Sequence, residues 1–250
     1  MHGLPGRLLR GMLLTGYLVC ALLAALYVAW LAQARMDFLY PFWYQAIGID
    51  QTIARYAPKN RYRRHFQHTD RAERLRLFRE LARGIRTPGY DFSALVYHDP
   101  AGRPLGRLLT PPEVRHLQDV ARLVAGGERL GLAALLTWLA AVLLVLRRRW
   151  PLPGLRRQLL AGLLGIATAT LAILALGPTR VFYQFHVWLF PGDNPWFFYY
   201  EDSLMSTMMR APDLFGGIAV ALLLSALVLW ILMLWLPTWL QGRVTLRVPR

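Results

Sequence analysis

Cysteine is all but missing from this 250-residue chain: Cys20 stands alone, so no disulfide forms within it and paired-thiolate metal sites are excluded. Lysine is equally scarce, Lys59 being the single lysine among the 29 Lys and Arg residues, a bias typical of a GC-rich genome. Acids number 14, leaving a formal charge of +15. There is no His-Glu-x-x-His helix, no Gly-x-Ser-x-Gly elbow and no glycine-rich phosphate loop. Those absences remove the zinc-hydrolase, serine-hydrolase and nucleotide-binding readings. Asp193, Glu201 and Asp202 are too loosely spaced for a hard-cation site.

Charge itself is absent over four long stretches: residues 11–34 (24 residues), 130–146 (17), 158–179 (22) and 214–242 (29). A helix of about 20 apolar residues crosses the ~30 Å of hydrocarbon in a bilayer. The second stretch is the shortest, covering roughly 25 Å as a helix, and Glu128 and Arg129 stand at its edge, where arginine snorkels to water. Arg7, Arg10 and Ala32-Gln33-Ala34 frame the first stretch like a signal peptide. Its apolar run exceeds the ~7–15 residues of a signal core, so an uncleaved anchor is expected. Val19 before Cys20 does not suit a lipoprotein cleavage site either. The fold class expected is an α-helical integral membrane protein with four transmembrane helices, at 11–34, 130–146, 158–179 and 214–240.

The distribution of charge sets the expected topology. Arg7, Arg10, Arg147, Arg148, Arg149, Arg156, Arg157, Arg243, Arg247 and Arg250 occupy the N-terminus, residues 147–157 and the C-terminus, with no acid among them. Residues 180–213 instead carry Arg180 and Arg210 against Asp193, Glu201, Asp202 and Asp213. This positive-inside pattern puts both termini and the 147–157 loop in the cytoplasm. Residues 35–129 and 180–213 then share the extracytoplasmic side. The excess basic charge reads as topology and contact with anionic headgroups, and nucleic acid is not an expected partner.

Residues 35–129 are long enough for a small mixed α/β extracytoplasmic domain. Residues 70–84 read as an amphipathic helix with Leu75, Phe78, Leu81 and Ala82 on its apolar face. Residues 92–97 and 105–109 flank Asp99-Pro100-Ala101-Gly102, the pattern of a β-hairpin. Thr110-Pro111-Pro112-Glu113 is a capping box with proline at the first helical position, so a helix starts there. His116 and Asp119, three apart, are neighbours on that helix, and Gly126-Gly127 allows a bend before the second membrane helix. Residues 180–213 form an aromatic loop: ten Phe, Tyr and Trp fall within 179–200, a composition that belongs at the lipid–water interface. Pro191-Gly192-Asp193-Asn194-Pro195 turns sharply within it.

Of six histidines, His2, His65, His68 and His98 read as solvated or structural. His116 has an acid beside it, and His186 is an ionisable group within an apolar interfacial segment, which is costly unless used. Glu113-x-x-His116-Leu117-x-Asp119-Val120, with Phe185-His186-x-x-x-Phe190-Pro191-Gly192-Asp193-Asn194-x-Trp196, resembles the two signature motifs of the bacterial lipoprotein intramolecular transacylases. The four-span layout with its large first outer loop resembles that family too.

The resemblance implies an enzyme of the bacterial cytoplasmic (inner) membrane. It would move the sn-2 acyl chain of a diacylglyceryl-cysteine lipoprotein to the cysteine's own α-amine, giving a lyso-form lipoprotein. It implies that His116 and His186 are the catalytic pair. Histidine serves as base and acid near neutral pH. Asp119 would orient His116, Asp193 is a further orienting candidate, and Asn194 or backbone N–H groups of the turn would hold the oxyanion. Phe185, Trp188, Phe190 and Trp196 would line the path of the acyl chains. No cofactor or metal is expected, because the product amide is more stable than the ester. Expected partners are diacylglyceryl-modified lipoproteins and membrane lipids; the sequence does not set the oligomeric state. The competing reading is a non-enzymatic membrane protein that binds or senses lipid. Transport is disfavoured by four stretches without charge.

Overall fold

A computed structural model describes residues 4–189 and 196–246. Four helices are long and apolar enough to cross a membrane: α1 (Leu4–Arg35), α5 (Pro111–Arg148), α6 (Leu155–Leu176) and α9 (Asp213–Leu246). Between the first two lie α2 (Tyr40–Ala46), α3 (Ile49–Tyr56), α4 (Arg71–Gly84) and strands β1 (Val96–His98) and β2 (Pro104–Arg107). Between α6 and α9 lie α7 (Pro178–Leu189) and α8 (Leu204–Met209). The segment read as one aromatic loop therefore holds two helices. The chain divides into two compact units, one of residues 1–30, 128–182 and 222–250, the other of residues 31–127 and 183–221.

The first unit holds the apolar stretches. Its core is Tyr17, Leu18, Ala21 and Ala25 of α1, Trp138 of α5, and Trp230 and Leu234 of α9. Ala21, Ala24, Ala25 and Ala29 are fully buried, as expected where lipid is the solvent and small residues let backbones approach. Gly131 of α5 admits the Tyr27 side chain so closely that a Cβ there would lie 2.6 Å from it. Gly162 of α6 admits the Trp230 ring in the same way, leaving no room for a Cβ. The remaining surface of α6 is exposed leucine, including Leu160, Leu163, Leu164 and Leu171, a face suited to hydrocarbon. At the other end of this unit the Gln158 amide donates to Pro153 O at 2.7 Å and Thr238 Oγ1 at 3.1 Å, tying the start of α6 to α9.

The second unit has its own core: Tyr40, Ile49, Ile53, Phe66, Leu77, Phe78, Leu81, Phe92, Tyr97, Leu108, Leu204 and Met208. Tyr40 stacks on Phe78 at 3.9 Å between centroids and donates its hydroxyl to Met208 O at 2.8 Å, joining α2, α4 and α8. Helix α4 is capped by Asp70, whose carboxylate accepts from Glu73 N at 2.8 Å. Its buried face is Leu77, Phe78, Leu81 and Ala82, with Leu77 in the place expected for Leu75. Both lie within the range a 3.6-residue stripe permits.

The hairpin forms where the turn residues predict it, with Val96 opposite Arg107, Tyr97 opposite Gly106 and a bulge between Tyr97 and His98. It is the single pairing of strands among the described residues, so the mixed α/β expectation reduces to one short hairpin among helices. Asp37, Phe38 and Leu39, directly after α1, all have positive φ (50°, 51° and 59°). Phe38 is buried by this turn and Asp37 meets Arg79 at 2.8 Å, contacts that hold three L-residues in a disfavoured region.

Candidate functional site

Helix α5 is 38 residues long, about 57 Å, nearly twice the ~30 Å of hydrocarbon. Its charge-free part is 130–146, whereas 111–129 carries Glu113, Arg115, His116, Asp119, Arg122, Glu128 and Arg129. No break in the helix occurs at Gly126-Gly127, since α5 is helical through both glycines. Hydrogen bonds of an intact helix outweigh the roughly 1 kcal/mol that each glycine costs.

The start of α5 is fixed by Glu113. Thr110 donates to Glu113 Oε2 from both its backbone N–H and its hydroxyl, each at 2.6 Å. Ser203, which caps α8 by accepting from Ser206 N at 2.8 Å, donates its hydroxyl to Glu113 Oε1 at 2.5 Å. Glu113 is 0% exposed. Burial pushes its carboxyl up from the ordinary value, against the hydrogen bonds from Ser203 and Thr110 and the charge of Arg63. Arg63 also donates to Leu109 O at 2.6 Å, just before the helix.

One turn further on, His116 is partly buried. Burial holds it below the usual histidine value of 6.5; the Asp119 charge pulls it up and the His186 ring pushes it down again. The two sequence-predicted histidines are thus brought within electrostatic reach of one another in the same unit. His186 comes from α7, in the last turn of that helix.

Two aromatic residues complete the surroundings. Trp196 lies at 4.7 Å from the His186 ring, tilted by 34°, and also meets Tyr183 edge-on at 5.4 Å. Phe198 presents an edge to His116 at 5.8 Å. The segment bearing both rings is anchored downstream: Tyr200 donates to Ala211 O at 2.7 Å, Thr207 donates to Tyr200 O at 2.9 Å, and Asp202 pairs with Arg61 at 3.1 Å.

Asp119 lies beside His116 on α5 and forms an ion pair with Arg122, so its carboxylate is shared between a neighbouring cation and the imidazole field. Phe185 and Trp188 are 51% and 73% exposed, on the outward side of α7. Phe190, Asp193 and Asn194 lie outside the described residues. Phe198 and Ser203 were not singled out in the sequence. Phe198 is one of five consecutive aromatics, and Ser203 carries no local motif that sets it apart. Among the described residues no group of three or more His, Cys, Asp or Glu is placed to hold a metal ion.

No curated protein matches the chain. Two solved structures of the membrane-integral lipoprotein intramolecular transacylase from Bacillus cereus share its fold. One is 18% identical with a TM-score of 0.65, covering 94% of this chain and 97% of the other. The second, which carries a histidine-to-arginine substitution, is 16% identical with a TM-score of 0.66, covering 98% and 99%. The family model for lipoprotein intramolecular transacylases matches residues 15–211, most of the chain. With four apolar helices and that match, this is a membrane-integral acyltransferase rather than a non-enzymatic lipid sensor, and the chain belongs to the lipoprotein intramolecular transacylase family.

Proposed function

We propose that this chain converts a diacylglyceryl-cysteine lipoprotein to its lyso form, moving the sn-2 acyl chain to the cysteine's own α-amine, with His116 and His186 as the proton-handling pair. The observation that carries this reading is their proximity: two imidazoles from different helices interact, each with an aromatic ring against it.

The neutral amine attacks the sn-2 ester carbonyl, forming the C–N bond and a tetrahedral oxyanion. His116, which burial keeps neutral, takes the proton lost by the attacking nitrogen. The C–O bond to glycerol then breaks, and His186 delivers a proton to the departing oxygen. Proton exchange between the two imidazoles and water resets the pair. Amine and ester belong to one substrate molecule, so tethering supplies much of the rate, and no enzyme nucleophile enters. Asp119 raises the proton affinity of His116 as the imidazolium forms. Asn194 or a backbone N–H of residues 191–196 donates to the oxyanion and Asp193 takes an orienting role, assignments that rest on the sequence motif.

The positive-inside pattern supports a cytoplasmic-membrane protein with both termini inside and this site on the extracytoplasmic side. Phe185 and Trp188, exposed on α7, suit contact with acyl chains.

The test is to express the protein in a strain lacking other N-acylating enzymes and analyse a lipoprotein's N-terminal peptide by mass spectrometry. N-acyl, monoacylglyceryl cysteine is expected. Diacylglyceryl cysteine with a free amine would end the proposal.

A further inference from the structure

Glu113 is not used by the reaction, yet a buried carboxyl at a helix start costs free energy unless fully bonded. A capping box alone needs only the contacts to Thr110. The additional bond, from Ser203, reaches 90 residues along the chain to the element that carries both aromatic rings. On one side of that bond, Glu113 stands one helical turn before His116. On the other, Ser203 ends the segment in which Trp196 and Phe198 lie against His186 and His116.

We infer that the Glu113–Ser203 hydrogen bond is a clamp that positions the catalytic pair, closing the ring-bearing 196–203 segment onto the α5 turn that carries His116. This rests on the function proposed above. Glu113 and Ser203 are positioning residues: neither touches substrate, and both act through the rings.

The supporting contacts run the same way. Arg63 carries a charge that acts on Glu113 and fixes Leu109 O just before α5, while its neighbour Arg61 fixes the other partner through Asp202 and by donating its backbone N–H to Glu201 O at 2.8 Å. Four residues on the 61–63 and 201–203 stretches thus hold the same junction. A carboxylate suits its centre, since Thr110 N–H, Thr110 Oγ and Ser203 Oγ are all donors to it. Losing the clamp lets Phe198 move off His116 and admits water to the imidazole. The charges bearing on His116 are Asp119 on its own helix and His186 on α7, and neither is altered by the change.

The test compares full-length wild type, Glu113→Ala, Glu113→Gln, Ser203→Ala and the Glu113→Ala/Ser203→Ala double variant, with a diacylglyceryl lipopeptide in detergent micelles. Ser203→Ala removes one oxygen, which is also the α8 cap, so the folded fraction of every variant is measured and kcat is taken per folded molecule. Single alanine variants are expected to lose about tenfold to a hundredfold in kcat, as for a slightly misplaced group, with KM nearly unchanged. The double variant loses little more than Glu113→Ala, because the two act as one unit. Glu113→Gln, which keeps an acceptor for Thr110 and offers a donor to Ser203, recovers part of the rate. The acid limb of kcat, and the His116 titration followed by NMR on histidine-labelled protein, both move upward toward 6.5. Losses that scale with the amount of folded protein while the His116 titration stays in place would overturn the clamp, as would additive losses. Should wild type fail to transfer acyl groups, the functional reading falls. The NMR titration then still decides whether the Glu113–Ser203 bond governs the His116 environment.

Discussion

The indole N–H of Trp30 donates to the carboxylate of Glu128 at 3.0 Å, joining the α1 and α5 helices 98 residues apart in sequence. Glu128 stands two residues before the charge-free stretch of α5, where an unbonded carboxylate is expensive, and Trp is the side chain that combines an apolar body with one donor. Trp30→Phe keeps the ring and removes the donor. It is expected to cost about 1–3 kcal/mol, the scale of one hydrogen bond to a charged group. Thermal unfolding in detergent checks this, and an unchanged melting temperature would show that the pair contributes no stability.

The pH dependence of the reaction follows from His116. A base must be neutral to act, and burial places this histidine below 6.5, so the rate is fully present near neutrality and falls as pH drops through that lowered value. Stability has the same sign. The folded protein binds the His116 proton more weakly than the unfolded chain, so this contribution is present above 6.5 and lost below it. Asp119→Asn removes the charge that favours protonation and leaves Arg122 uncompensated. Both changes move the acid limb further down. An upward movement of that limb in kcat profiles would contradict the electrostatic role given to Asp119.

Trp196→Ala is expected to lower kcat by about a hundredfold, the scale of a catalytic group displaced by roughly an ångström, because the ring 4.7 Å from His186 is lost. Trp196→Phe retains an aromatic surface and recovers part of that rate. Single-turnover measurements on both variants decide it: equal rates for alanine and phenylalanine would mean the ring does not hold His186.

Gly162 tests the packing of the membrane-spanning unit. A side chain there meets the Trp230 ring with its first carbon, so Gly162→Leu overpacks the α6–α9 contact by at least 1–3 kcal/mol. Gly165, whose added Cβ would meet nothing within 4 Å, serves as the control. Gly165→Leu is expected to leave the yield of folded protein near wild type, while Gly162→Leu reduces it in gel-filtration profiles of the solubilised protein.

The elements most legible in the sequence were those written in local chemistry. Four charge-free stretches gave four long helices, and Asp70 and Thr110-Pro111-Pro112-Glu113 marked the starts of α4 and α5. Asp99-Pro100-Ala101-Gly102 marked the hairpin. The His116 and His186 motifs identified the family. What escaped was set by partners distant in sequence. Helix α4 buries Leu77 where Leu75 was expected, and α5 stays helical through Gly126-Gly127 because helix continuity outweighed glycine preference. The bond between Ser203 and Glu113 spans 90 residues and has no local signature. An aromatic run reads as an interfacial surface; that Phe198 within it faces a histidine is visible in three dimensions alone.

Under the proposed roles, the rings of Trp196 and Phe198 bear on which product leaves the enzyme. An imidazole that takes a proton from an attacking amine can also take one from an attacking water, and water attacking the same ester would release a free fatty acid and leave the cysteine unmodified. Aromatic surface pressed against both histidines lowers the local water concentration where that competition is settled. The same contacts that hold the imidazoles therefore favour aminolysis over hydrolysis, and fidelity of transfer becomes a property of packing.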